Sequence, residues 1–249
     1  MNENFDRPLG WRARIGVMSP TVMETINNDF FRVAPDGVTM CAITSNVEFW
    51  DNSNFQQSVI DPLISMAKYL GSRGVDYIMH CGMPVVTLRG KGFEDEVQKM
   101  ITEATGLPSS TSIKSAIKAF QSLNARNIAI LSPYPDVVHK SAIKFLEDSG
   151  FHIVKDHTED VVFKQLQDVI PRRIVEIGCE LVKPSDKVDC VYIPCNQWRG
   201  LDAAIHLEKR LGIPCVSGAH ADMWEAFKTL EIDNPLPGNG VLFEALRKS

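Results

Sequence analysis

The stretch Ile15-Gly16-Val17-Met18-Ser19-Pro20-Thr21 returns 113 residues later as Ile128-Ala129-Ile130-Leu131-Ser132-Pro133-Tyr134. Each copy is an apolar, strand-like run closed by Ser-Pro, and each Ser-Pro reads as a turn. Val75-Asp76 and Val188-Asp189 repeat at the same offset, each opening another strand-like run. Thr105-Gly106-Leu107-Pro108 is echoed by Leu211-Gly212-Ile213-Pro214 at a slightly different offset. Two ungapped matches at one spacing indicate an internal duplication.

Outward from these anchors, strands and amphipathic helices alternate. Strands are expected over 13–18, 38–44, 75–81, 127–131, 151–155, 189–194 and 215–217. Helices are expected over 55–70, 92–105, 112–123, 136–148, 172–182, 201–211 and 221–230. Within 55–70, Val59, Ile60, Leu63, Ile64, Ala67 and Leu70 recur at helical spacing. Gly106, Gly150 and Gly212 stand where helices should stop. The alternation implies βαβ units and mainly parallel sheets. The expected fold is therefore α/β, with two pseudo-symmetric, mainly parallel-sheet halves and a cleft between them. Residues 1–118 together with 219–249 are expected to form the first half, and 119–218 the second.

Parallel sheets bind ligands beyond the carboxyl ends of their strands. Four loops should therefore meet at the cleft: Ser19-Pro20-Thr21, Ser132-Pro133-Tyr134, the loop after His80-Cys81 and the loop after Ile193-Pro194. The offset of 113 pairs Thr21 with Tyr134 and Gly82 with Cys195.

Composition narrows the classes. A chain of 249 residues with 44 % apolar residues can bury a substantial core. A net charge of −5 with no Lys/Arg run argues against nucleic acid or an anionic membrane as partner. Residues 1–7 lack an apolar signal core, and no apolar run reaches membrane-spanning length, so a cytoplasmic protein is expected. The six cysteines form no C-x-x-C pair and sit in apolar segments, where a cysteine is most often a small buried hydrophobe. His and Cys are not at zinc spacing, no G-x-G-x-x-G follows the first strand, and Gly90-Lys91-Gly92 lacks the rest of a P-loop. Neither a metal nor an organic cofactor is expected.

These residues resemble the aspartate/glutamate racemase superfamily, in the branch that holds arylmalonate decarboxylase and maleate cis-trans isomerase. The resemblance covers nearly the whole chain. It is carried by Arg14-Ile15-Gly16-Val17, Glu103-Ala104-Thr105-Gly106-Leu107-Pro108, Ile130-Leu131-Ser132-Pro133-Tyr134, the strand into Cys195, and Arg210-Leu211-Gly212-Ile213-Pro214-Cys215-Val216-Ser217. It implies a reactive position at the end of one strand in each half. Racemases and maleate isomerases carry Cys at both, whereas arylmalonate decarboxylase carries Gly then Cys. Cys195 falls on the second position. Counting from Val75-Asp76 puts Gly82 on the first and leaves Cys81 one residue early. Neighbouring strand residues face opposite sides, so the slip matters unless the strand ends before Cys81. Arylmalonate decarboxylase follows its Gly with hydroxyl residues, and here Met83-Pro84 follow. A small acid other than an aryl malonate is therefore expected.

Reactions of this superfamily act next to a carboxylate and build negative charge there. A thiol at a strand end can deliver or remove the proton, and preorganised donors can hold the oxygens. Cys195 is expected to be catalytic, with Cys81 as a second acid if the enzyme is an isomerase or racemase. Substrate contacts are expected from Gly82, Met83, Tyr134, Thr21, Ser132, Asn196 and Gln197. Each has a plainer reading. Ser19-Pro20 and Ser132-Pro133 could simply be helix-entry chemistry, and Tyr134 a packed aromatic. His80 and His220 are further acid-base candidates, though strand and cap histidines are commonly structural. Trp198 and Arg199 could read a substituent or second carboxylate, and Phe49-Trp50 could belong to a lid. A small carboxylate is the expected partner, with a homo-oligomer possible. The resemblance implies a carbon-acid enzyme, expected to be a decarboxylase with Cys195 as proton donor; a maleate-type cis-trans isomerase or an amino-acid or hydantoin-type racemase using Cys81 and Cys195 is the alternative, and a non-catalytic small-carboxylate-binding protein is the alternative of another class.

Overall fold

In the computed structural model, which describes residues 6–47 and 55–247, the order of elements is as follows. The first half runs β1 (Ala13–Ser19), α1 (Glu24–Val33), β2 (Val38–Thr44), α2 (Phe55–Ile60), α3 (Leu63–Ser72), β3 (Tyr77–His80), α4 (Met83–Thr87), α5 (Phe93–Thr105) and β4 (Ser109–Thr111). The chain continues with α6 (Ser112–Ser122), β5 (Asn127–Ser132), α7 (Asp136–Asp148), β6 (His152–Thr158), α8 (Pro171–Leu181), β7 (Cys190–Ile193), α9 (Gly200–Leu211), β8 (Cys215–Ser217), α10 (Gly218–Thr229) and α11 (Val241–Leu246). A 3-10 turn, Phe163–Asp168, follows β6.

The strands make two parallel four-stranded sheets, ordered β2-β1-β3-β4 and β6-β5-β7-β8. The duplication in the sequence is thus a duplication of topology. Strands β3 and β7 begin and end at equivalent residues, 77 to 190 and 80 to 193. Alternation along the strands divides the core. Ile15, Val17, Tyr77, Met79, Ile128, Ile130, Cys190 and Tyr192 share one cluster that draws on both halves. The intervening residues face outward: Met18 and Ile78 pack in one outer cluster with α3, and Ala129, Leu131, Val191 and Ile193 in another with α8 and α9. Pro20, Gly82, Tyr134 and Cys195, just past the carboxyl ends of β1, β3, β5 and β7, line one pocket.

Several expectations are corrected. The helix expected over 55–70 is two, because Pro62 breaks it; Pro lacks the N–H that a continuous helix needs. Helix α10 starts at Gly218 rather than 221, because Ser217 caps it. Four elements had no expected counterpart: α1, the short α4, the C-terminal α11, and β4, whose sequence Ser-Ser-Thr carries no apolar signal. Phe49-Trp50 lies outside the described residues. No helix among the described residues is long and apolar enough to cross a membrane.

Candidate active site

Strand β3 ends at His80, one residue before Cys81. The chain then turns through Gly82 at φ +102°. Strand β7 ends at Ile193, and its chain turns at Cys195 with φ +105°. The two bends are the same bend at equivalent positions. Glycine takes this left-handed conformation freely, whereas a cysteine is strained by it. Gly82 has a second constraint, since a Cβ there would stand 2.9 Å from Pro20 Cδ and Cγ.

Both bends line one pocket of about 30 Å³. The first half contributes Pro20, Thr21, Met23, Gly82, Met83, Pro84 and Ser112. The second contributes Tyr134, Phe163, Leu166, Tyr192, Cys195, Asn196, Gln197 and Gly218. No Lys, Arg or His is among them. The pocket opens toward a wider vestibule of about 290 Å³ that shares Thr21, Phe163, Leu166 and Gln197 and adds Glu24, Asn46 and Lys164.

Cys195 is partly exposed in this pocket. The backbone N–H groups of Gln197 and Trp198 and the Tyr134 hydroxyl hydrogen-bond its sulfur. These donors favour thiolate, but burial outweighs them and pushes the thiol up to about 11. Cys195 therefore carries its proton at neutral pH. The two backbone donors come from the turn before α9, three and two residues ahead of its first residue, and not from the helix itself. The same burial keeps Tyr134 and Tyr192 protonated, well above the ordinary phenol range. The Tyr192 hydroxyl lies 3.8 Å from Met83 Sδ, to which it donates.

Cys81 is fully buried and does not line the pocket. Its sulfur accepts from Asn196 Nδ2 at 3.3 Å and donates to Asp222 Oδ2 at 3.5 Å. Burial and the Asp222 charge raise it well above a normal thiol. Gly82, not Cys81, thus shares the pocket with Cys195.

Ser132 does not reach the pocket either. Its hydroxyl pairs with His139 Nδ1 at 2.7 Å and so supports the turn from behind. Neither turn serine caps a helix: Ser19 Oγ donates to the Thr21 carbonyl, and the cap positions are Met23 and Pro135. His80 points to the outer face of its sheet, and burial lowers its pKa to about 4. His220 accepts from the Ser217 N–H at Nδ1, 3.2 Å, and donates from Nε2 to the Asn239 carbonyl, 2.8 Å. It completes a capping box for α10 and lies outside the pocket. Trp198 is buried in the second outer cluster, and Arg199 binds Asp202 at 2.7 Å.

The sequence reading missed Ser112, Phe163, Leu166 and Asp222. Asp222 is buried beneath the pocket, where its Oδ2 accepts from Ser112 Oγ at 2.7 Å and Asn196 Nδ2 at 2.6 Å. Burial raises it to about 6 although every hydrogen bond it accepts pulls the other way. Its sequence signal is slight: one carboxylate four residues after Gly218 in a helix buried over Gly218–Phe227. Among the described residues no three His, Cys, Asp or Glu side chains gather as a metal site.

Two parallel-sheet α/β halves thus close a pocket with no Lys, Arg or His in its lining around the partly exposed thiol of Cys195. The arylmalonate decarboxylase family model matches residues 15–243, and the chain belongs to that family. It is 24 % identical to arylmalonate decarboxylase of Bordetella bronchiseptica, over 92 % of this chain and 96 % of the relative. It is 25 % identical to a maleate isomerase of Pseudomonas putida, over 70 % of this chain and 71 % of the relative. Among solved structures, a liganded double mutant of arylmalonate decarboxylase superposes with a TM-score of 0.87 at 22 % identity, covering 94 % of this chain and 99 % of the other. The maleate isomerase of Pseudomonas putida S16 with maleate gives 0.86 at 18 % identity, covering 93 % and 97 %. The protein is accordingly a cofactor-independent enzyme of the aspartate/glutamate racemase superfamily, on the decarboxylase and cis-trans isomerase branch.

Proposed function

We propose that the protein decarboxylates a small malonate-type acid, with Cys195 as the proton donor. The observation that carries this reading is that Cys195 lines the pocket together with Gly82, its equivalent in the other half, and not with a second cysteine; burial, which raises the Cys195 thiol, supports it. In the reaction the bond from the α-carbon to one carboxylate breaks. Its electron pair stays on the substrate as an enediolate, and CO2 leaves. The Cys195 S–H bond then breaks as its proton forms the new C–H bond, and the thiolate left behind is reprotonated from solvent. An acid must hold its proton until the carbanion forms, which suits a thiol raised by burial. Only one face of the enediolate meets such an acid, so one product enantiomer is expected.

The enediolate oxygens need fixed donors, and each typically contributes ~3 kcal/mol to the barrier. Thr21 and the backbone N–H groups of Met83 and Asn196 are the candidates, with Tyr134 and the Gln197 N–H aimed at the sulfur they steady. Met23, Met83, Pro84, Phe163 and Leu166 make apolar walls, which suit the α-substituent and disfavour the departing carboxylate. Met83 and Pro84 provide no side-chain hydroxyl, so the enediolate oxygens depend on Thr21 and the backbone donors.

Cis-trans isomerisation is the second reading, favoured by the similarity to maleate isomerases. It needs Cys195 as a nucleophile, hence as thiolate, against the direction in which burial moves it. Incubation with substituted malonates, maleate and amino acids, following CO2 release and solvent deuterium uptake, separates the readings. CO2 release from a malonate supports decarboxylation. Conversion of maleate without CO2 release replaces it with the second reading.

A further inference from the structure

We infer that Asp222 is a positioning residue that holds the Cys195 loop in its left-handed bend, acting through the Asn196 carboxamide. The inference deepens the proposed role of Cys195 and rests on that residue being the working thiol.

At φ +105° Cys195 sits where side-chain-bearing residues rarely do, and such a bend persists only where its surroundings over-determine it. Asn196 is the next residue, and one face of α10 receives its carboxamide, making room for the oxygen and bonding the nitrogen. A Cβ on Gly218 would overlap Asn196 Oδ1, so glycine leaves room for the oxygen. Four residues on, Asp222 Oδ2 takes the Asn196 Nδ2 proton at 2.6 Å. The same carboxylate oxygen takes the Ser112 hydroxyl at 2.7 Å and the Cys81 thiol at 3.5 Å. Asp222 is 1 % exposed, so bulk water does not offer its carboxylate an alternative partner. Asp222 does not line the pocket and has no path to the substrate except through Asn196 and Ser112. The first half has Met83 at the equivalent of Asn196, and its bend needs no tie because residue 82 is glycine.

The titratable groups facing Asp222 are Cys81, Tyr77, Tyr134 and Tyr192, all kept protonated by burial. The effect of Asp222 on Cys195 is therefore one of geometry, exerted through a neutral amide.

The test is the pH dependence of Cys195 alkylation by iodoacetamide on the full chain, with the labelled peptide identified by mass spectrometry to separate Cys195 from Cys81. Asp222→Asn keeps an oxygen for Asn196 and Ser112 and should titrate like the wild type, far above an ordinary thiol. Asp222→Ala should let the loop open and the sulfur hydrate, so its midpoint falls toward an ordinary thiol and the rate at pH 8 rises more than tenfold. Asn196→Ala cuts the same tie from the loop side and should do the same. Adding Asp222→Ala to Asn196→Ala should then shift the midpoint no further. An unchanged midpoint in Asp222→Ala, or an equal fall in Asp222→Asn, overturns the inference. If Asp222→Ala does not fold, an unchanged midpoint in Asn196→Ala overturns it alone. Labelling reports the setting of the sulfur whether or not Cys195 protonates a substrate, so failure of the decarboxylase reading is scored separately.

Discussion

The loops after β3 and β7 are one backbone written twice, with φ +102° at Gly82 and +105° at Cys195. The first loop takes the bend with the residue made for it and packs Pro20 against the bare Cα. The second takes it with a side chain and surrounds it with buried polar partners. The difference shows how a duplicated fold becomes a one-sided site. One copy supplies a smooth wall, and the other accepts strain to present a thiol.

The comparison can be broken by making one half more like the other. The largest stability effect is expected one turn back, where His80 stands opposite Ile193 in the repeat. His80 is buried, its ring nitrogens find no partner beyond its own backbone, and burial lowers its pKa from 6.5 to about 4. Below pH 6.5 the unfolded chain takes a proton there that the folded chain refuses until about pH 4. Stability is therefore held above pH 6.5 and lost as pH falls toward 4, by on the order of 3 kcal/mol from this group. His80→Ile should remove that share of the acid slope, read by urea denaturation at pH 7 and 4.5. An unchanged slope would show that His80 is hydrated or paired. Gly82→Ala should cost about 2 kcal/mol, since the new Cβ meets both the positive φ and Pro20. Pro20→Ala in the same chain should return part of that loss, and purely additive costs would contradict the contact. The smallest effect concerns Cys195 itself. Cys195→Gly should be more stable than Cys195→Ala by about 1 kcal/mol, because glycine relaxes the bend. Equal stabilities would mean that the bend at 195 carries no strain.

Much of this was legible because the repeat fixes topology. Equal offsets at Ser19-Pro20 and Val75-Asp76 placed β1 against β5 and β3 against β7, and hence Gly82 opposite Cys195. The ambiguity over Cys81 was a matter of one residue in a strand end. Periodicity does not resolve strand ends, and backbone hydrogen bonding does. Strand β4 was invisible because Ser109-Ser110-Thr111 is buried on both faces yet wholly polar. Phe163 and Leu166 reach the pocket from an irregular turn after β6, whose path is set by tertiary contacts and not by local pattern. Asp222 was missed for a related reason: a lone acid in a helix reads as a solvated face until the helix proves buried on every side.

In the proposed reaction Cys195 delivers the proton and Cys81 does not. The most direct measurement is CO2 release in D2O from one confirmed malonate by Cys195→Ala and Cys81→Ala, with deuterium at the α-carbon scored by enantiomer. Loss of the acid typically costs 10²–10⁴-fold. Cys195→Ala should fall by roughly that factor with stereochemical purity lost. Cys81→Ala should stay within about threefold of wild type and give one enantiomer, since its sulfur lies behind Asn196. Full turnover in Cys195→Ala, or an equal loss in both variants, would contradict the account.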